Sequence, residues 1–138
     1  MKNIINNNRS WYFYDLSDKV LGRASSEIAS ILLGKHLTSY NRSSDCGDCV
    51  VAVNAAKFRL TGSKIDQKHY YKHSGYIGNL KTESLGERIK LSPEKVVINS
   101  ISGMLPKNKL RAQILKRLKV YGNENHPHQN IKFVKEIK

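Results

Sequence analysis

Five consecutive apolar residues, Cys49–Val53, constrain the fold of this chain more than any other segment. The run is bounded by Gly47-Asp48 and by Asn54, which are residues typical of turns. A strand with one face in water alternates apolar and polar side chains, whereas an unbroken run is typical of a strand buried on both faces, as in parallel sheets. The run therefore predicts a central strand whose sheet is covered by helices above and below.

The flanking segments supply further elements for such a sheet. Trp11–Leu16 is aromatic and extended and predicts a first strand, Lys57–Leu60 predicts a short third strand, and Val120-Tyr121 predicts a last one. Apolar residues at helical spacing from Leu21 to Leu32 predict a helix, which Gly34 is placed to end in a left-handed cap.

Three more helices are predicted in the second half of the chain. Ser84-x-x-Glu87 has the form of a capping box, and Ser92-Pro93 combines an N-cap residue with proline at the first helical position. The third stretch, 108–117, alternates apolar and cationic residues. Because Lys109 and Lys116 are two turns apart, we expect them on the same outer face of that helix.

These elements predict one α/β domain over residues 1–138. Their order favours a three-layer α/β/α arrangement around a small, four-stranded, mainly parallel sheet. Between them, the basic stretch 63–78 predicts a loop or an irregular hairpin. Residues 1–10 and about 123–138 are polar and are predicted to form extended N- and C-terminal tails.

The charge of the chain is strongly positive and unevenly distributed. It has 24 Lys and Arg residues against 11 Asp and Glu, a formal net charge of +13. Residues 1–50 hold 6 of the cations and 5 of the acids, so 18 cations and 6 acids, a net charge of +12, remain for residues 51–138. The stretch from Lys95 to Asn123 contains no acid. Such a surface repels itself unless an anion neutralises it, which favours a polyanionic partner, with nucleic acid first.

Membrane association is not expected. No segment approaches the ~20 apolar residues that span a bilayer, and residues 1–10 lack the apolar region of a secretory signal. The two cysteines indicate a reducing compartment, in which they need not form a disulfide. We therefore expect a soluble protein.

Aromatic and cationic residues follow one another from Lys68 to His73, a pattern in which rings can stack on unpaired bases while lysines meet phosphates. Contact with the RNA backbone is favoured over base reading, because neither an RNA-recognition aromatic signature nor a Gly-x-x-Gly clamp is present. The predicted RNA-binding residues are Arg23, Lys35, His36, Lys64, Lys68, Tyr70, Tyr71, Lys72, His73, Tyr76, Lys107, Lys109, Arg111, Lys116, Arg117 and Lys119.

Other chemistries are less favoured. Cys46 and Cys49 could form one half of a zinc site, with His69 and His73 as the other half. The interval between the two pairs is longer than in zinc fingers, so we interpret the cysteines as small residues at the border of a strand. No catalytic triad or pair of acids is recognisable, and no cofactor or metal is expected. A free RNA-binding factor or an RNA-processing enzyme remains the alternative.

The order and spacing of many short motifs resemble the L-thirteen family of bacterial-type large-subunit ribosomal proteins along nearly the whole chain. The most distinctive block is Gly103-Met104-Leu105-Pro106-Lys107. Where the family usually continues Gly-Pro-Leu-Gly-Arg, this chain has Asn108-Lys109-Leu110-Arg111-Ala112. The other motifs are Trp11-Tyr12 with Asp15, Leu21-Gly22-Arg23, Gly34-Lys35-His36, Gly47-Asp48, Asn54-Ala55 with Lys57, Thr61-Gly62 with Lys64, Tyr70-Tyr71 with His73 and Gly75, and Leu118-Lys119-Val120-Tyr121-Gly122.

The resemblance implies a non-enzymatic constituent of the large ribosomal subunit that binds large-subunit rRNA and acts early in assembly. It implies an α/β/α fold with a four-stranded parallel sheet. The expected partners are that rRNA and neighbouring large-subunit proteins, with no homo-oligomer, in the ribosome of the bacterial cytoplasm or of an organelle.

Overall fold

A computed structural model describes residues 9–137, which contain a four-stranded sheet, a separate two-stranded sheet and five helices. The strands are β1 (Trp11–Asp15), β2 (Cys49–Val53), β3 (His69–His73), β4 (Leu80–Ser84), β5 (Leu118–Val120) and β6 (Lys135–Ile137). The helices are α1 (Leu21–Leu33), α2 (Lys64–Gln67), α3 (Leu85–Leu91), α4 (Pro93–Met104) and α5 (Arg111–Lys116).

The larger sheet has the order β5-β2-β1-β6, and all its pairings are parallel. Strand β2 occupies an inner position, and its five residues are all buried, as the apolar run predicts. It pairs with β1 from Trp11 opposite Cys49 to Asp15 opposite Val53. The α/β class and the four-stranded parallel sheet are therefore confirmed.

The main core lies between one face of this sheet and the helices. Tyr14, Val50 and Ala52 point into it and pack with the apolar faces of α1 and α4. Helix α1 ends before Gly34, whose left-handed conformation (φ 78°) lets the N–H of the following Lys35 donate back to the carbonyl of Ser30 at 3.0 Å. Helix α5 also packs against α1, so these helices form a single layer.

The opposite face of the sheet has a different cover. Side chains alternate along a strand, so Trp11 and Phe13 point away from the helix-facing Tyr14. Their rings contact His128, His126 and Phe133, at centroid distances of 5.4–5.8 Å. These partners lie in the non-helical segment 121–134. Within the described residues, this aromatic segment therefore covers the face of the sheet opposite α1 and α4.

Two further predictions about the sheet are corrected. Lys57–Leu60 is not a strand of the sheet, because Asn54 adopts φ 57° directly after β2 and turns the chain away. Only Arg59 forms an isolated bridge, with Val20. The fourth strand is instead β6, which lies in the segment expected to be a C-terminal tail and pairs with β1. The first eight residues of the predicted N-terminal tail lie outside the described range.

The stretch 63–78 contains the short helix α2 and leads into an antiparallel hairpin of β3 and β4. The hairpin joins α3 at Ser84, where the capping box is present: the Ser84 hydroxyl accepts from the Glu87 N–H (3.2 Å), and the Glu87 carboxylate accepts from the Ser84 N–H (3.0 Å). The hairpin is thereby continuous with the helical layer. Within the described residues, no helix is long and apolar enough to cross a membrane.

Candidate nucleic-acid interface

Eleven of the sixteen predicted RNA-binding residues fall into two basic regions, and the other five lie elsewhere. The first, which we call the basic hairpin, comprises residues 64–84 and packs against α3. The second, which we call the α5 patch, groups lysines by their position in the sequence: the exposed lysines 107, 109 and 116 precede or lie in α5, and the half-exposed Lys119 is on β5, where its pairing with Val51 places its side chain on the face opposite the helices. Helix α5 packs instead against α1 and β5.

The basic hairpin extends its aromatic and cationic groups into solvent. Tyr71 is 67 % exposed and Tyr76 is 78 % exposed. The other polar residues predicted in this region, Lys64, Lys68, Lys72 and His73, are also exposed. Rings this accessible have one face free to stack on a base.

Tyr70 differs from the neighbouring tyrosines because it packs against the core. The Arg88 guanidinium lies 4.3 Å from the centroid of its ring, and the Lys68 ammonium lies 5.5 Å from it. Cation–π contacts of this kind hold a ring between charged groups. Tyr70 therefore anchors the hairpin to α3, and Tyr71 and Tyr76 are the rings left to meet a ligand.

A pair of lysines stands directly across the hairpin. Lys72 on β3 is opposite Lys81 on β4, and both are exposed. Like charges in this position destabilise a hairpin, and Glu83 offsets the repulsion only diagonally. Lys81 was not among the predicted residues. Side chains alternate between the two faces of a strand, so Lys81 can be placed beside Lys72 once the pairing of β3 with β4 is known.

The α5 patch differs in detail from its prediction. Helix α5 begins at Arg111, so Lys109 precedes the helix and does not share a helical face with Lys116. Arg111 turns back to the end of α4, where its Nη2 donates to the Ser102 carbonyl at 2.6 Å. Lys119 is half-buried in β5 beside Val51.

Arg117 lies inside the fold. Its side chain is 8 % exposed, it donates to the Leu32 carbonyl at 3.0 Å, and it forms an ion pair with Asp45. Arg9 contacts the same carboxylate at 3.2 Å. Burial would raise the pKa of Asp45, but the hydrogen bond and charge of Arg117, together with Arg9, outweigh it and hold this pKa below its ordinary value.

The predicted residues near α1 are also divided. Arg23 and Lys35 are exposed. His36 contacts the buried Asp48, with 2.8 Å between its Nε2 and the carboxylate oxygen. The other oxygen of Asp48 accepts from the Ser10 backbone N–H at 3.0 Å. The His36 side chain is thus partly exposed to solvent and is held on its other side by the contact with Asp48.

The cysteines do not lie in a recognisable metal site. Cys49 is the buried first residue of β2, and burial raises the pKa of its thiol. The Cys46 sulfur lies 3.0 Å from the Ser44 hydroxyl. Over residues 9–137, no group of three or more His, Cys, Asp or Glu side chains has the arrangement of a metal site.

Comparison with known proteins gives a consistent family. The family model described as Ribosomal protein L13 matches residues 9–127. A "Large ribosomal subunit protein uL13" of Geobacter sulfurreducens is 50 % identical over 121 residues, covering 88 % of this chain and 85 % of that protein. One from Dehalococcoides mccartyi is 48 % identical over 120 residues, with 87 % and 84 % covered. One from Thermotoga petrophila is 50 % identical over 121 residues, with 88 % and 81 % covered.

Proposed function

This chain belongs to the ribosomal protein L13 family, and from that premise we propose that it is a structural constituent of the large ribosomal subunit. It binds large-subunit rRNA by neutralising phosphates and supports early subunit assembly, in the cytoplasmic ribosome of a bacterium. Its partners are rRNA and neighbouring large-subunit proteins, and it is not an enzyme. The family match over most of the chain is the observation that carries this proposal.

The state of the cations supports the phosphate-binding role. Among the described residues, the ion pairs are those of Arg9 and Arg117 with Asp45, and His36 contacts the carboxylate of Asp48. Among the side chains that the structure describes, the lysines of both basic regions therefore have no carboxylate partner. Phosphates bound there would release condensed counterions from RNA, which is the main source of affinity in such complexes.

The α5 patch provides the test of the proposed contacts. We expect Lys109→Ala, Lys116→Ala and Lys119→Ala, combined in one chain, to weaken binding to large-subunit rRNA in a filter-binding assay. The salt dependence of binding should become shallower by roughly 0.7–0.9 units of slope for each lost phosphate contact. Lys57→Ala is the matched control, because Lys57 is an exposed lysine outside both regions.

Co-sedimentation tests the ribosomal role itself. The wild-type chain should remain with large subunits through high-salt washing. Release into a free pool with other RNA would instead favour an independent RNA-binding factor.

An unchanged salt slope in the triple variant would refute the placement of these three lysines at rRNA.

A further inference from the structure

A groove of about 500 Å³ lies between the loop after α1 and the turn between α4 and α5. Leu105 and Ile114 line it from the core and are almost fully buried. Leu33 and Leu110 extend this apolar floor, and Tyr40 also lines the groove. The volume lies within the ~300–1,000 Å³ range of pockets that hold small ligands.

The rim of the groove is cationic. Lys35 and Arg42 line it, are exposed, and form no ion pair within the described part of the chain. The one acid in the lining, Asp45, is already neutralised by Arg9 and Arg117. The groove therefore combines an apolar floor with a positive edge, which complements a ligand that has a flat apolar part and an attached anion.

We propose that this groove holds one unpaired nucleotide of the bound rRNA, with its base on the apolar floor beside Tyr40 and its phosphates at Lys35 and Arg42. The inference rests on the proposed function. A duplex hides the faces of its bases, whereas bases of single-stranded loops and bulges can be splayed out and stacked on aromatic side chains. A nucleotide also matches the charge of the rim, which an apolar peptide segment would leave unneutralised.

The two parts of the site make different contributions to binding. Tyr40 offers a ring for stacking, which is insensitive to salt, so Tyr40→Ala should weaken rRNA binding at least about fivefold without changing the salt slope. Arg42 meets a phosphate, so Arg42→Gln should lower the slope by about 0.7. Tyr40→Phe keeps the ring and should bind as the wild type does.

Chemical probing of unpaired bases locates the nucleotide. We expect the full chain in complex with large-subunit rRNA to protect one unpaired base that becomes reactive again with Tyr40→Ala but not with Tyr40→Phe. Leu91→Ala is the control, because it removes an exposed apolar side chain of α3 outside the groove and both basic regions, and it should leave that base protected. Ultraviolet crosslinking of the wild-type complex, followed by mass spectrometry, should join a nucleotide to Tyr40 or to residues 104–106.

The outcomes separate this inference from the function on which it rests. If the wild-type chain does not bind rRNA, the proposed function fails. If the chain binds but no unpaired base depends on Tyr40, and the crosslinks avoid the groove, rRNA binding stands and the nucleotide site is refuted. Crosslinks from the groove to a neighbouring ribosomal protein would also refute it and would identify a peptide as the occupant.

Discussion

Replacing Arg117 by methionine separates a cation that serves the fold from cations that serve RNA. Charge alone placed Arg117 among the RNA-binding residues, but its guanidinium is buried between Asp45 and the carbonyl of Leu32. Methionine keeps much of the length and apolar surface of the side chain and removes its charge and all its donors. The substitution therefore isolates the polar contacts.

The expected loss follows from the surroundings of this pair. Removing one partner of a buried ion pair costs about 3–5 kcal/mol. Asp45 is 17 % exposed and keeps its contact with Arg9 at 3.2 Å, so the lower end applies, ~3 kcal/mol. A domain of this length loses about 4 °C in Tm per kcal/mol, so Tm should fall by about 12 °C.

The loss should also depend on pH. The pKa of Asp45 is lowered in the folded state, so its stabilisation is fully present above the pKa of the unfolded carboxyl, about 3.9, and is lost as pH falls through the folded-state value. Arg117 is the main cause that lowers the pKa of Asp45, so the Arg117→Met variant loses most of this pH-dependent stabilisation. The difference in Tm between variant and wild type should therefore narrow in acid.

Thermal unfolding followed by circular dichroism, at neutral pH and in steps below pH ~4, measures both effects. Lys116→Met is the control, because Lys116 is an exposed neighbour and its loss should change stability by less than about 0.5 kcal/mol. The reasoning is refuted if Arg117→Met costs less than about 1 kcal/mol, or if the folded variant shows a reduced salt slope for rRNA while its stability is unchanged.

Three further substitutions test other parts of the structure. Lys81→Gln removes the repulsion with Lys72, so it should raise Tm by about 2 °C at low salt and have no effect on Tm in 1 M salt. It should also weaken rRNA binding. A lower Tm at low salt would contradict the proposed repulsion. Gly47→Ala would place a Cβ 1.7 Å from the Leu32 carbonyl oxygen and should cost ~3 kcal/mol in chemical denaturation, whereas near-wild-type stability would show that the loop yields. Ser84→Ala removes the capping box and should cost ~1 kcal/mol, with Ser84→Asp largely restoring it; equal losses in both would argue against the cap.

Features of the fold that depend on neighbouring residues were predictable from the sequence. The buried run of β2, the end of α1 at Gly34 and the capping box at Ser84 are all confirmed. Each depends on residues within a few positions of one another, so its cause is visible in a short window. The same applies to Pro93 at the first position of α4.

Features that depend on distant residues were not predictable. The apolar-polar alternation of Lys57–Leu60 is typical of a strand, yet the partner positions in the sheet belong to β5 and β6. Segment 121–134 is polar in composition, and its role as a cover emerges only through the rings of His126 and His128 against β1. Pairing over such separations leaves no local pattern.

The candidate site shows the same division. Composition identified a basic, aromatic surface, and the exposure of Tyr71 and Tyr76 agrees with that reading. Composition could not distinguish Arg117 from Lys116, because burial depends on Asp45, 72 residues away in sequence. Arg42 was not predicted, because the groove it lines brings together two segments about 60 residues apart.

The pairing of β6 with β1 has a consequence for synthesis. On the side of β1 away from β2, residues 12–14 pair only with residues 135–137, so a nascent polypeptide carries an open β1 edge until those residues have been made. Until then β1 can pair on one side only, and the unpaired side can recruit strands from other chains. The four-stranded sheet is therefore complete only after residues 135–137 have been made, and a translation product that stops before them keeps an unpaired strand edge.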